Sequence, residues 1–282
     1  MAYNLNQMYD FMDIAVKDED GRLFTDALKT KWLNTAQDHI ISLINSQYIV
    51  ELHTVDAGES PTTGVYAMSG LTYSVYRKHL GLMGVRVASG VFCDFIDFEQ
   101  YKQYVTDGYT FVATAPKYYV RGSSIYLFPT SISSIDVYYV RVPAVMTENV
   151  ASGSIANGTV YTVNDYTTVK YPSTTGTNYT DGQSFTGSTG DGTTYDVTGT
   201  GTVTIDCELE DDIQEAILDY SKGMARHEAS DYAGAERDMA IAYQKVEVFN
   251  RKIDAAYQSY SDSSRTAYQQ YRRDPIAAGG DR

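Results

Sequence analysis

Cysteine is scarce in this sequence, which limits the covalent and metal chemistry that can hold the fold together. Only Cys93 and Cys207 occur in 282 residues, and their separation matches neither a zinc motif nor a redox pair. We therefore expect two free, half-buried thiols. A chain of this length buries enough apolar surface to fold without disulfides or a structural metal, as one large domain or two smaller ones.

Basic residues are also few. Lys and Arg number 22 against 36 Asp and Glu, which gives a net charge of −14. This balance argues against a protein that wraps nucleic acid by neutralising its phosphates. An acidic wall is still compatible with a duplex that passes by it, because it repels phosphate and does not hold the DNA.

Long apolar runs are absent as well. No apolar stretch of 18 residues occurs, so a membrane-spanning helix is not expected. The first twenty residues lack a basic segment followed by an apolar one, and a secretion signal is therefore not expected either. The sequence predicts a soluble protein made in the cytoplasm.

Signatures of catalysis are also missing. The histidines show no metal-ligand spacing, and we predict surface or structural roles for them: His39, His53, His79 and His227. No nucleophile elbow, phosphate loop or dinucleotide fingerprint is present. We expect no catalytic residue, no cofactor and no enzyme. A wall hydrolase that uses paired carboxylates stays as an alternative, although no predicted cleft brings two carboxylates together.

Helical periodicity marks both ends of the chain. A first helix is predicted around Leu5 to Val16, and a second runs from an N-cap at Thr25 to about residue 45. A third begins in the acidic run after Glu208, where carboxylates favour a helix N-terminus, and ends near Ser230. The last helix carries a heptad seam, which predicts packing along other helices or, alternatively, a self-associating coiled coil. The seam consists of Ala235, Met239, Ala242, Val246, Phe249, Ile253, Ala256 and Tyr260.

The middle of the chain is predicted to be rich in β-structure. Residues 117–120 and 125–129 flank a Gly-Ser turn and predict a hairpin, and residues 135–142 supply a third strand. Between 65 and 114 the pattern is ambiguous, with short β-like pieces before a short helix at about 97–105. The 26 tyrosines suit subunit contacts, but a β-rich composition explains them equally well.

Residues 151–205 differ in composition from the rest, because Gly, Thr, Ser, Asn, Asp and Tyr dominate and Lys170 is the one basic residue. Short alternating runs between glycines predict a small β insertion, and a floppy linker is the alternative. Asp181, Asp191 and Asp196 could bind calcium, although the ligand spacing of an EF-hand is missing and Asp-Gly turns account for the first two. Stacking of the tyrosines on sugars is a further alternative.

These patterns predict an α+β fold. We expect a helical bundle of the N- and C-terminal helices, with a small antiparallel β region and a β-rich insertion. The expected divisions are 1–150 for the first helices and the β region, 151–205 for the insertion, 206–260 for the helices that complete the bundle, and 261–282 for a flexible C-terminal arm.

Three stretches of the sequence form a recognisable combination. The first is an opening helix with the core Trp-Leu-Asn-x-Ala-Gln at residues 32–37, preceded by residues 24–28. The others are residues 115–119 with 125–129 and 137–139, and residues 216–220 after the acidic helix start. In this order they resemble the head-to-tail adaptor, or tail tubular protein A, family of short-tailed bacteriophages. The resemblance covers roughly residues 22–55, 115–143 and 207–258.

The resemblance implies a structural virion protein of the neck or tail, made in the host cytoplasm. It implies a ring of about twelve copies that contacts the portal protein and the tail or nozzle proteins, while genomic DNA passes through the lumen without sequence-specific binding and no membrane is involved. The C-terminal arm would order on the portal and offer it Arg265, Arg272 and Arg273. The alternative is a binding module whose insertion recognises a glycan or another virion protein.

Overall fold

The computed structural model describes residues 3–18, 23–44, 48–76, 81–148, 150–155, 159–164, 168–173, 176–180, 183–188, 194–198 and 202–273. These residues form a mixed α+β fold with five α-helices and several small sheets. The predicted α+β class is therefore confirmed.

The chain divides into two compact units. Among the described residues, a helical unit contains those within 6–44 and 211–273, and a β unit contains those within 3–5 and 45–210. The predicted divisions at 150, 205 and 260 lie where composition changes. Contacts divide the chain differently, because segments far apart in sequence pack together and the insertion groups with the preceding strands.

The helical unit contains α1 (Leu5–Val16, apart from its first residue), α2 (Asp26–Ser42), α4 (Asp211–Glu228) and α5 (Tyr232–Arg273). The predicted cap of α2 is confirmed, because the Thr25 side chain accepts a hydrogen bond from the Leu28 amide at 3.3 Å. The helix packs against α4, and α4 packs against α5. The buried seam of α5 includes four of the predicted positions, Ala235, Ala242, Val246 and Phe249.

A buried lysine joins α1 to α2. Lys29 is only 2% exposed, and its Nζ lies 2.7 Å from a carboxylate oxygen of Asp13 and 2.8 Å from one of Asp26. Burial alone lowers the pKa of Lys29, but the hydrogen bonds to the two carboxylates outweigh it and hold the pKa above its ordinary value. The ammonium therefore stays charged between the two helices.

Two sheets form the larger part of the β unit. The first has the antiparallel order β1 (His53–Glu59), β7 (Ile135–Val140), β3 (Leu82–Val87). The second has the order β2 (Val65–Ala67), β6 (Ser124–Phe128), β5 (Lys117–Arg121), β4 (Asp94–Phe95), and only β4 and β5 are parallel. The predicted β5–β6 hairpin is confirmed, and Gly122 at its turn has a φ of +64°, which favours glycine. A shared core includes Val85, Tyr118, Ile125, Leu127, Val137 and Tyr139.

The insertion forms two further sheets of three strands each. One has the order β10 (Thr177–Tyr179), β9 (Thr168–Tyr171), β12 (Asp196–Thr198), and the other the order β11 (Ser184–Thr186), β8 (Val160–Asn164), β13 (Thr202–Thr204). Their apolar core includes Tyr161, Val163, Val169, Tyr171 and Phe185. The described residues of the insertion thus contain the predicted short strands.

The predicted C-terminal arm is partly wrong. The heptad seam predicts a last helix that ends near Tyr260, but α5 continues to Arg273. Residues 261–273 are polar, yet they contain neither glycine nor proline, and the first residue that opposes a helix is Pro275. The rest of the arm, residues 274–282, lies outside the described residues.

Candidate interaction surface

The most unusual surface of the β unit begins at a short helix, α3 (Phe98–Thr106), close to the predicted range of 97–105. Asp97 and Gln100 form a capping box, in which the Asp97 carboxylate accepts from the Gln100 amide at 2.7 Å and the Gln100 side chain accepts from the Asp97 amide at 3.0 Å. No residue of α3 is buried, although the helix carries Phe98, Tyr101 and Tyr104. Three aromatic side chains on so exposed a helix require a local explanation.

The outer face of the β5–β6 hairpin supplies that explanation. Side chains alternate across a strand, so the neighbours of the core residues Tyr118, Ile125 and Leu127 point away from the core. Tyr119 pairs in register with Tyr126, and their rings stack with centroids 4.8 Å apart and planes 3° from parallel. The hairpin therefore presents aromatic rings on the face opposite the core.

Ring contacts attach α3 and the following loop to this face. The Tyr101 ring lies 4.8 Å from that of Phe128 and 5.0 Å from that of Tyr119. Phe111 in the loop lies 4.9 Å from Phe128. We call residues 95–112, together with Tyr119, Tyr126 and Phe128, the aromatic platform. Its rings form a small second core outside the sheet.

Three cations lie over rings of the platform. Lys102 Nζ and Arg121 Cζ are 5.0 and 5.6 Å from the Phe98 ring centroid, and Lys117 Nζ is 5.7 Å from that of Tyr104. Burial is the largest single effect and lowers the pKa of Lys117, but the hydrogen bond to Asp94 and the electrostatic attraction of Asp94, Tyr104 and Tyr109 together raise the pKa above its ordinary value. Burial raises the pKa of Tyr119, and its neighbours Tyr101 and Tyr126 add to the effect. The platform therefore combines neutral phenols with charged ammonium and guanidinium groups.

Large apolar side chains of the platform remain open to solvent. The exposed fractions are 61% for Phe95, 40% for Phe98, 56% for Val105, 42% for Tyr109 and 44% for Val112. With about 150–250 Å² for a large aromatic side chain, these five residues expose roughly 400–500 Å² of apolar surface. An area of this size lies in the range of the largest patch on a typical monomer, about 300–600 Å², and such patches mark interaction sites.

The arginines predicted to contact the portal lie elsewhere, near the end of α5. Arg265, Arg272 and Arg273 all belong to the last nine residues of that helix, and their side chains lie outside the described residues. Two contacts join the middle of α5 to the ends of its neighbours. Lys252 pairs with Asp212 at the start of α4 at 2.8 Å, and Asn250 donates to the carbonyl of Leu43 at the end of α2 at 3.2 Å.

The histidines do not come together. His39 contacts both C-terminal helices, with Nε2 3.1 Å from the Tyr243 hydroxyl and its ring stacked 4.7 Å from Tyr220. His227 packs edge-on against Tyr232, and His53 begins β1. His79 lies outside the described residues. Within the described part of the chain, no group of three or more His, Cys, Asp or Glu residues could hold a metal ion.

The cysteines and the insertion aspartates give no reactive site among the described residues. Cys93 and Cys207 form no disulfide and are buried, not half-buried as predicted, and burial raises the pKa of their thiols to about 11 and about 12. Asp196 lies in β12 opposite Lys170, an arrangement that suits a cross-strand ion pair better than a calcium site. Asp181 and Asp191 lie outside the described residues.

Sequence reasoning missed the aromatic platform. One local signal was available, because Phe98, Tyr101 and Tyr104 recur every three residues on a predicted helix and so share a face. The hairpin rings that contact Phe98 and Tyr101 lie 18 to 27 residues later, and their position depends on the register of the hairpin.

The helices in the described part of the chain include none with the length and hydropathy of a membrane span. No family model and no curated protein matches this sequence.

Proposed function

We propose that this chain is a structural virion protein that assembles as a head-to-tail adaptor ring between a portal and a tail. In this proposal the N- and C-terminal helices form the bundle of each subunit, and the β unit with its insertion is attached to it. The three stretches that resemble the adaptor family motivate the proposal. The observation that carries it is the length of α5.

Helix α5 continues past its contact with the start of α4. Lys252 forms an ion pair with Asp212, the second residue of α4, and residues 253–273 of α5 follow that contact along the chain. At 1.5 Å per residue this extension is about 30 Å long. Such a helix is long enough to reach a second protein while its first half stays fixed in the subunit.

The residues at the end of α5 suit an acidic partner surface. Arg272 and Arg273 occupy the last turn, where cations favour the negative end of the helix macrodipole. Guanidinium groups bind carboxylates through two parallel hydrogen bonds, which gives both affinity and orientation. We therefore propose a helical arm that carries Arg265, Arg272 and Arg273 to the portal, in place of the unfolded arm that the sequence predicted.

The charge of the chain supports passage of DNA and not its capture. A ring of subunits with a net charge of −14 each surrounds its lumen with negative potential, unless basic residues concentrate there. A duplex then moves through without being held by its phosphates. Genomic DNA is thus proposed to pass through the ring without sequence-specific binding.

A binding module is the second candidate function. The insertion favours it, because residues 150–205 form two sheets around an apolar core of their own. In that case a glycan or another virion protein binds the insertion, and the helices only display it. Deleting residues 151–205 separates the two candidates: an adaptor still forms rings and binds the portal, whereas a binding module loses its main function.

The proposal is tested by mixing the purified protein with the portal protein of the same virion. Native mass spectrometry should show a ring, of about twelve subunits by the family resemblance, that binds the portal. An Arg272→Glu, Arg273→Glu double variant should still form rings but bind the portal at least tenfold more weakly. Arg251→Glu is the matched control, since Arg251 is an exposed arginine on the part of α5 that runs beside α4. A chain that stays monomeric and ignores the portal contradicts the proposal.

A further inference from the structure

We infer that the aromatic platform is the surface that a neighbouring copy of this chain covers in the assembled state. This inference rests on the proposed ring and names the face of the β unit that builds it. Three features of the platform support a second copy as the occupant. They are its exposed apolar side chains, the contacts that occupy its ring faces and its low local charge.

The size of the exposed area fits one side of a protein interface. The platform exposes roughly 400–500 Å² of apolar surface, and a standard interface buries about 800 Å² on each partner. A rim of polar residues normally makes up the remainder of an interface, and the outward residues of α3 provide one with Glu99, Gln103 and Thr106. The dimensions thus match a subunit contact.

The ring faces of the platform disfavour a sugar. A sugar stacks on a free aromatic face, but both cations near Phe98 lie over its ring, and Tyr104 is contacted by Lys117, Tyr109 and Phe111. The Tyr119 ring is buried between its neighbours. The faces of the Phe98, Tyr104 and Tyr119 rings are therefore partly occupied, and Val105 and Val112 add exposed aliphatic surface that packs against protein side chains.

The local charge indicates a second copy of the chain. Residues 94–128 contain four acidic and three basic residues, for a net charge of −1, which is less negative than the about −1.7 that 35 residues carry at the average of the whole chain. Two copies of such a chain repel each other, and the repulsion is least where the local charge is close to zero. Arg121, the exposed cation over Phe98, then faces an acidic neighbour. Among surfaces of this acidic chain, the platform is therefore well suited to self-contact.

The test compares self-association of the full-length protein with that of two valine variants. Val105 and Val112 are exposed, so a Val105→Glu, Val112→Glu double variant leaves the ring contacts of the platform in place. Val145→Glu is the matched control, because Val145 is 64% exposed and lies outside the platform in the same unit. Sedimentation velocity over a concentration series measures the dissociation constant of the assembly.

We expect the double variant to raise that dissociation constant at least tenfold, with an unchanged circular dichroism spectrum, and the control to change it less than twofold. Rings of the double variant as tight as those of the wild type would overturn the inference while leaving the proposed function intact. A wild-type chain that stays monomeric at every concentration, with or without the portal, overturns both. An equal loss in the control overturns the inference, because the effect is then not specific to the platform.

A second measurement covers the case in which the double variant does not fold. Hydrogen exchange of the wild-type protein is compared between dilute and assembled samples. The amides of residues 98–112 should exchange more slowly in the assembly, because a neighbouring copy covers α3 and the loop that follows it. Unchanged exchange in this segment contradicts the inference.

Discussion

The docking of α3 onto the hairpin can be tested through one side chain. Tyr101 makes two ring contacts within 5.0 Å, one with Tyr119 and one with Phe128. An aromatic pair contributes about 0.5–1.5 kcal/mol beyond the area it buries, so Tyr101→Ala should weaken docking by about 1–3 kcal/mol. The better helix propensity of alanine offsets only a few tenths of a kcal/mol.

This loss should stay local. Since α3 has no buried residue, its detachment leaves the core of the β unit intact. Each 1.4 kcal/mol is a factor of ten in an opening equilibrium, so amides of residues 101–106 should exchange about 5- to 150-fold faster in Tyr101→Ala. Native-state hydrogen exchange measures this change, and thermal unfolding checks the rest of the protein.

Gln103→Ala is the matched control on the same helix, because Gln103 is exposed and makes no ring contact. It should leave the exchange rates of α3 nearly unchanged. If Tyr101→Ala exchanges like the wild type, the ring contacts do not hold α3. If it instead lowers the melting temperature of the whole β unit, α3 is an integral part of the core, and the description of the platform as a second, outer core is wrong.

Three further predictions concern polar and thiol groups of the β unit. Asp56 accepts from the Thr72 amide at 2.5 Å and from the buried Tyr139 hydroxyl at 3.2 Å. Asp56→Ala should lower the free energy of unfolding by about 2–4 kcal/mol in urea titrations, since both donors lose their acceptor; a loss below about 0.5 kcal/mol would count against this network. The hydrogen bond from Arg86 lowers the pKa of Asp136. The stability that this pair gives to the folded protein is therefore present above about pH 4 and is lost as the pH falls through the lowered pKa. An NMR titration should show that pKa rising in Arg86→Ala, and an unchanged value would refute the pairing. Cys207 is buried with a raised pKa and should resist iodoacetamide at pH 8 until denaturant is added, whereas rapid labelling of the native protein would show that it is accessible.

The features predicted correctly are those that neighbouring residues determine. A threonine before an apolar stripe caps α2, and two β-rich runs around a Gly-Ser turn form the β5–β6 hairpin. The heptad spacing of α5 likewise identified four of its buried side chains, Ala235, Ala242, Val246 and Phe249. In each case the signal lies within one helix or one hairpin, so a single sequence is sufficient.

The features that were missed depend on distant pairings. In the insertion, β8 pairs with β11 and β13, while β9 pairs with β10 and β12, and alternation in sequence identifies the strands without giving their partners. The burial of Asp56 could not be foreseen, because its partners Thr72 and Tyr139 lie 16 and 83 residues away. The same reason hid the aromatic platform.

The end of α5 shows a different limit. Polar composition led to the prediction of an arm without structure, but composition reports the absence of an apolar face and not the absence of a helix. Local propensity was the better guide, since no glycine or proline occurs between Gly234 and Pro275. The predicted portal-contacting arginines therefore belong to a helix, and the proposed arm is a helical one.

Negative-stain electron microscopy of the full-length protein with its portal tests the central claim most directly. We expect closed rings with an open pore, stacked on the portal, with one subunit type repeating around the axis. Compact single particles with no pore, beside unoccupied portals, would contradict it.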